Sequence, residues 1–266
     1  MQSASVIIGE TSIEHPREVS KRPVVEQFEL DRGDVRLSGD VIGTGPTILL
    51  LHAGGERRSV WTPITVRLAA AGYRCVTFDL RGHGNSQGTR DVFWPIVDDA
   101  VAMINSIGQR CVVVGSSLGG IAAIGAMSVE TVQTRIRGLV LVDVVPDPSP
   151  SFARRFLERE GVLARATGLV DDVLAHGTDL AGVLAQFRQP ILLVRASDSA
   201  VTDHDVDRLR RRVPQTEVVN VDSGHLIARD APFALACVLT SVLDEWHNAD
   251  TTAHLNSSVR SSNVEQ

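Results

Sequence analysis

Short apolar runs recur along this chain, with amphipathic stretches between them. Thr47-Ile48-Leu49-Leu50-Leu51, Cys111 to Val114, Gly138 to Val142 and Ile191-Leu192-Leu193-Val194 are runs of strand length. Continuous rather than alternating hydrophobicity suits strands buried on both faces. Ahead of them, residues 24–30 and 35–41 flank Asp31-Arg32-Gly33-Asp34, and the Gly-containing turn predicts a hairpin. Further strands are predicted over 74–80 and 216–221, and helices over 59–71, 91–107, 121–127, 205–212 and 232–246. The alternation predicts an α/β fold, a mostly parallel central sheet covered by helices on both faces.

One interval breaks the rhythm. Residues about 146–189 are too many for a single crossover helix. Pro146, Pro148 and Pro150 open the interval, and residues 152–158 and 164–184 carry helical amphipathicity. Such an insertion reads as a small helical cap at the C-terminal edge of the sheet, where ligands bind in open α/β folds. Residues 1–23 are polar without periodicity and predict a flexible N-terminal arm; the Ser/Asn-rich residues 249–266 predict a disordered tail. The domain proper is expected over 24–248.

Composition narrows the function more than the fold. The 266 residues are 43% hydrophobic and 22% charged, with a formal net charge of −6. That balance suits a globular domain and gives no electrostatic footprint for nucleic acid. Lys21 is the only lysine, so a Schiff-base mechanism within the folded body is excluded. Cys75, Cys111 and Cys237 lie far apart in apolar runs and read as buried free thiols, consistent with a reducing compartment. No spacing of metal-ligand type occurs, so no metal and no cofactor are expected. The first 23 residues lack an apolar core of signal-peptide type, and no apolar run is of membrane-spanning length. A cytoplasmic protein acting on a small molecule, without membrane or nucleic-acid partners, is the expectation; oligomeric state is not legible.

The chemistry centres on Gly115-Ser116-Ser117-Leu118-Gly119, a G-x-S-x-G turn between the 111–114 strand and the helix that follows. A Ser there stands on a sharp strand-to-helix turn at the sheet edge, beside the backbone N–H groups of a helix N-terminus. A serine hydroxyl is a poor nucleophile without a base. His225, in Asp222-Ser223-Gly224-His225 just after the 216–221 strand, is the histidine that a parallel sheet brings toward Ser117.

Four motifs in order resemble the α/β-hydrolase family across residues 24–247. His52-Ala53-Gly54-Gly55 resembles the family's His-Gly oxyanion loop, with Ala53 in place of the usual first Gly. Asp79-Leu80-Arg81-Gly82-His83-Gly84-Asn85-Ser86 is similar to its D-x-R-G-x-G-x-S loop. The Ser117 turn matches its nucleophile elbow, and Gly224-His225 its histidine loop. The resemblance implies Ser117 as nucleophile, His225 as base, and oxyanion donors at the Leu118 and Gly54 N–H groups. His52 and His83 are expected to be structural.

The resemblance also implies an acid in the turn after the 191–194 strand. Asp198 is the only carboxylate of Arg195-Ala196-Ser197-Asp198-Ser199-Ala200-Val201, although counting without gaps puts Ser199 or Ala200 at the family position. Asp198 is the expected acid; Asp143, which some branches of the family use, is the alternative. Trp61, Phe152 and Phe156 are candidate pocket residues, together with Phe93 and Trp94. Arg57 and Arg58, beside the oxyanion loop, are expected on a solvated rim, with contact to a substrate carboxylate as the alternative. The implied activity is hydrolysis of a small or medium carboxylic ester or lactone through an acyl-enzyme. Carbon–carbon bond hydrolysis, cofactor-free haloperoxidase or oxygenase chemistry, and a non-catalytic ligand receptor are the alternatives. Ser at the elbow argues against dehalogenase or epoxide-hydrolase chemistry, where relatives carry Asp.

Overall fold

The computed structural model describes residues 24–262, with side chains through Ala249. Eight strands form one sheet: β1 (Val25–Asp31), β2 (Arg36–Ile42), β3 (Thr47–Leu51), β4 (Arg74–Phe78), β5 (Cys111–Ser116), β6 (Ile136–Val142), β7 (Ile191–Ala196) and β8 (Thr216–Val221). Their order is β1-β2-β4-β3-β5-β6-β7-β8, with the first two strands antiparallel to their neighbours and the other pairings parallel. The helices are α1 (Thr62–Ala70), α2 (Trp94–Ser106), α3 (Leu118–Ala126), α4 (Glu130–Gln133), α5 (Pro150–Arg159), α6 (Leu163–Ala175), α7 (Gly177–Leu184), α8 (Asp203–Arg212), α9 (Ile227–Asp230) and α10 (Pro232–Ser262). Among the described residues no helix is long and apolar enough to cross a membrane.

The apolar runs became strands because both of their faces are covered. Leu49 and Leu51 of β3 join the hydrophobic cluster on one side of the sheet, and Ile48 and Leu50 join the cluster on the other. Leu139 and Leu141 against Val140 and Val142 repeat the pattern on β6. Alternate side chains of a strand point to opposite faces, so a strand between two helix layers must be apolar throughout.

The connectivity positions the site. From β3 the chain moves through α1 to β4 on one side, whereas β5 pairs on the other side of β3. Connections that diverge in this way leave a crevice at the C-terminal ends of the two strands. His52 follows β3 there, and Ser117 follows β5. Helices α5, α6 and α7 occupy the interval between β6 and β7.

Two sequence expectations meet a different structure. Helix α10 continues to Ser262, past the expected end at Trp246 and into residues expected to be a disordered tail. Residues 233–262 contain neither Gly nor Pro, so no strong helix breaker interrupts the backbone. Residues 1–23, read as an arm, and the last four residues of the tail lie outside the described residues. Cys75 and Cys111 are buried free thiols as expected, and burial pushes each up to about 12; Cys237 is exposed.

A buried ion network ties the β1–β2 hairpin to the body. Asp99 on α2 is inaccessible to solvent and accepts from Arg81 Nε and Nη2 at 2.8 and 2.9 Å and from Arg32 Nε at 3.2 Å. Removing one partner of a buried pair leaves uncompensated charge, which costs about 3–5 kcal/mol. Asp99→Ala is therefore expected to lower the melting temperature by about 10 °C, a change that calorimetry reads directly.

Candidate active site

Ser117 sits where β5 meets α3, with φ 45° and ψ −113°, a backbone conformation that side-chain-bearing residues seldom adopt. The turn closes because its neighbours have no side chains. A Cβ on Gly115 would lie 2.4 Å from the Gly120 Cα, and one on Gly119 would lie 2.5 Å from the Leu51 carbonyl oxygen. Strain of this kind costs about 1–3 kcal/mol and persists only when surrounding contacts over-determine it. The Ser117 N–H donates to the Val142 carbonyl at 3.1 Å, and its own carbonyl accepts from the Gly120 and Ile121 N–H groups.

His225, 8% exposed, lies with Nε2 3.1 Å from Ser117 Oγ. Its Nδ1 is 2.8 Å from Asp143 Oδ2. Asp143 follows β6, 1% exposed and also at positive φ, 50°. Its Oδ1 accepts from the Ala196 N–H at 2.9 Å and from Ser199 Oγ at 2.5 Å. A carboxylate buried this deeply needs donors to offset the loss of water, and the site supplies three.

The expected acid is elsewhere. Asp198 is exposed, and both of its oxygens accept from Arg159 Nη2 at 2.8 Å. The physical reason is the register of the turn after β7. Ser199, one residue on, reaches inward and presents a hydroxyl that meets Asp143 from the neighbouring strand end. Of the two positions that the ungapped count offers, Ser199 or Ala200, it is Ser199 that meets the site, and the carboxylate comes from Asp143, just after β6.

The loop after β3 is held by two neutral histidines. His52 donates from Nδ1 to the Ala53 carbonyl at 2.8 Å and accepts the Leu80 N–H at Nε2 at 2.9 Å. His83 donates from Nδ1 to the Arg81 carbonyl at 2.8 Å and accepts the Gly55 N–H at 3.0 Å. Asp79 accepts from the Arg58 N–H at 2.6 Å, the Arg58 guanidinium and the Asn85 N–H at 2.8 Å. The 79–86 motif thus braces the 52–58 loop. With the Gly55 N–H taken by His83, the Gly54 and Leu118 N–H groups have no acceptor among the described residues, and both residues line the cavity at Ser117. Arg58, expected on the rim, is instead buried in an ion pair, while Arg57 is exposed.

Burial drives the His52 imidazole down to about 4, because protonation would strand a charge with no water. Between about 4 and the ordinary 6.5 the unfolded chain binds the proton and the folded chain does not. The stability that neutral His52 contributes is therefore complete above about 6.5 and is lost as the pH falls through about 4. The gap in unfolding free energy between the native protein and His52→Gln is expected to narrow by about 3 kcal/mol from about pH 7 to about pH 4, as read by urea titration. Glu56, in the same loop, is pushed above the usual carboxylate range, mainly by burial, with the Ala53 backbone acting in the opposite direction.

A cavity of about 330 Å³ opens in front of Ser117 and His225. Its wall opposite the sheet is largely α6, through Leu169, Val170, Val173 and Leu174, with Ala153 and Leu157 of α5. The candidate pocket aromatics fare differently. Trp61 is fully buried in the core cluster beneath α1 and α10, away from the cavity. Phe93 is likewise core, and Phe152 does not line the cavity. Phe156 packs edge-on against the His225 ring, with centroids 5.5 Å apart, and supports that ring rather than the cavity wall. Trp94 donates to His176 of the cap at 3.2 Å. Sequence reading missed the aliphatic face of α6, whose Leu and Val spacing is visible but looks like ordinary core packing. Among the described residues, no group of three or more His, Cys, Asp or Glu side chains is arranged to hold a metal ion.

A protein-family model described as the alpha/beta hydrolase family matches residues 48–236. An esterase of Mycobacterium tuberculosis is 28% identical over 76% of this chain and 84% of its own length. The pimeloyl-[acyl-carrier protein] methyl ester esterase of Aeromonas salmonicida is 30% identical over 71% of each chain. Among solved structures, a thermophilic esterase from Thermogutta terrifontis superposes with a TM-score of 0.66 at 21% identity, over 84% of this chain and 99% of that one.

Proposed function

The chain belongs to the alpha/beta hydrolase family, and from that premise we propose that it cleaves a small or medium carboxylic ester or lactone through a covalent acyl-serine. The observation that carries the reading is the hydrogen-bonded line Ser117 Oγ–His225–Asp143, with steps of 3.1 and 2.8 Å. Esterases among the relatives support a hydrolytic activity.

The chemistry follows from the atoms. Asp143 fixes His225 with its proton on Nδ1, which leaves Nε2 as the acceptor facing Ser117. As Oγ attacks the carbonyl carbon, Nε2 takes the hydroxyl proton, and the carbonyl oxygen becomes an oxyanion. The Gly54 and Leu118 N–H groups are the donors for that oxyanion; one such donor is typically worth about 3–4 kcal/mol in the transition state. His225 then protonates the leaving alcohol. Water attacks the acyl-serine by the same path in reverse order, releasing the acid and restoring Ser117. The steps use these residues and water alone.

The test is turnover of 4-nitrophenyl esters of graded acyl length by the purified protein. Saturable hydrolysis with an optimum at short or medium chains is the expected result. No hydrolysis of any ester, with ligand binding retained, would instead make the protein a receptor on a hydrolase fold.

A further inference from the structure

The charged side chains that line the cavity are unequally committed. Glu160 pairs with Arg159 at 3.1 Å, Arg229 pairs with Asp230 at 2.7 Å, and Asp143 is held by His225. Arg90 and Arg165 line the same cavity, and neither has an ion-pair or side-chain hydrogen-bond partner among the described residues.

These two residues come from segments that pack together. Arg90 lies in the loop before α2, and its backbone N and Cβ lie against Gly82 of the 79–86 motif. Its charge also reaches His83, which braces the loop carrying Gly54; with burial the larger cause, it helps hold that imidazole below its usual range. Arg165 stands on the first turn of α6. The two segments meet where the Cβ position of Gly168, three residues on, comes within 3.9 Å of the Asp91 carbonyl oxygen. The Phe93 N–H donating to Asp172 of α6 at 2.9 Å fixes the same junction.

Beside them the wall along α6 is aliphatic, through Leu169, Val170, Val173 and Leu174. Two guanidinium groups without a carboxylate partner, facing a cavity whose own carboxylates Glu160 and Asp143 are paired with Arg159 and His225, are a recognition device for an oxyanion, since the guanidinium fork matches such groups in geometry and charge. We infer that the substrate is an ester bearing a second, anionic group, whose chain lies along α6 while Arg90 and Arg165 hold the charge. This deepens the esterase reading and rests on it. The anion is borne on the acyl side, as in a half-ester of a dicarboxylic acid, or on the alcohol side.

Three esters separate the cases: ethyl hexanoate, which is uncharged; monoethyl adipate, with the charge on the acyl side; and carboxymethyl hexanoate, with the charge on the alcohol side. At low ionic strength kcat/KM for one of the two anionic esters is expected to exceed that for ethyl hexanoate by about tenfold or more, a charge-assisted hydrogen bond being worth at least that factor. Which anionic ester is favoured identifies the side. The preference is expected to reside in KM and to shrink on raising the salt to about 0.5 M, because partly exposed charges are screened. In Arg90→Gln/Arg165→Gln the ratio of anionic to neutral kcat/KM is expected to fall about tenfold, with Arg90→Lys/Arg165→Lys intermediate. The salt series on the native protein gives the same answer if the double variant fails to fold. Turnover of ethyl hexanoate with no preference for either anionic ester, or a preference that survives both salt and substitution, overturns this inference and leaves the esterase reading standing. Failure to hydrolyse any of the three esters overturns both.

Discussion

Ser117→Ala is expected to lower kcat for ester hydrolysis by about 10⁴- to 10⁶-fold, with the far-ultraviolet circular dichroism unchanged. The loss is that large because no other group can attack the carbonyl from the same position. Residual catalysis would come from the Gly54 and Leu118 N–H groups, which the substitution leaves in place. It also keeps a Cβ at φ 45°, so the backbone strain at the elbow stays. Ser117→Gly removes that strain, and is expected to be equally inactive yet more stable than Ser117→Ala by about 1 kcal/mol. Wild-type turnover by Ser117→Ala would remove the nucleophile from the mechanism.

Asp143→Asn is expected to cost about 10⁴-fold in kcat, and Asp198→Asn less than about twofold. The asymmetry follows from which atoms are fixed. Oδ1 of Asp143 accepts from the Ala196 N–H and Ser199 Oγ, so an asparagine in its place keeps its carbonyl oxygen toward those donors. The amide NH₂ of that asparagine then faces His225 Nδ1 and donates to it. The imidazole proton is driven to Nε2, and the ring can no longer accept from Ser117. Asp198 neutralises Arg159 at the surface, and an exposed pair contributes little. The reverse outcome, with Asp198→Asn inactive and Asp143→Asn active, would contradict the geometry of the site.

The two halves of this array differ in how far the sequence reveals them. Ser117 is legible because its turn demands small residues on both sides. Gly115, Gly119 and Gly120 record that close approach in the sequence itself. His225 is legible because it follows the 216–221 strand within a Gly-containing loop, and the fold brings that strand end toward β5. The acid carries no such signature. It needs only to reach His225 Nδ1, and the ends of β6 and β7 are adjacent and both within reach. Asp198 is the only carboxylate of the expected turn, but its side chain lies on the outward side. A usable signal is present all the same. Asp143 interrupts Leu139 to Val145, an otherwise apolar stretch, and a lone carboxylate at the end of a buried strand requires partners.

The fold is legible for the same reason that the nucleophile is. Apolar runs of strand length, separated by amphipathic helices, leave few arrangements besides a parallel sheet between two layers. The cavity is not. Its wall along α6 is aliphatic, so that helix reads like any helix packed on a core, whereas the conspicuous aromatics mostly serve elsewhere. Trp61 fills the core, Phe156 supports His225, and Trp94 meets the cap. Large rings stand out in a sequence, but they are also the side chains that fill interiors most effectively.

The most direct measurement is the mass of the protein after reaction with a fluorophosphonate, followed by peptide mapping. The serine oxygen displaces fluoride at phosphorus, the reaction requires the base behind the serine, and the adduct is stable. The expected result is one adduct per chain on the peptide that carries Ser117. It should be absent in Ser117→Ala and form far more slowly in Asp143→Asn. An unlabelled Ser117 in protein that still hydrolyses esters, or an adduct on a different residue that abolishes turnover, would contradict a nucleophilic Ser117.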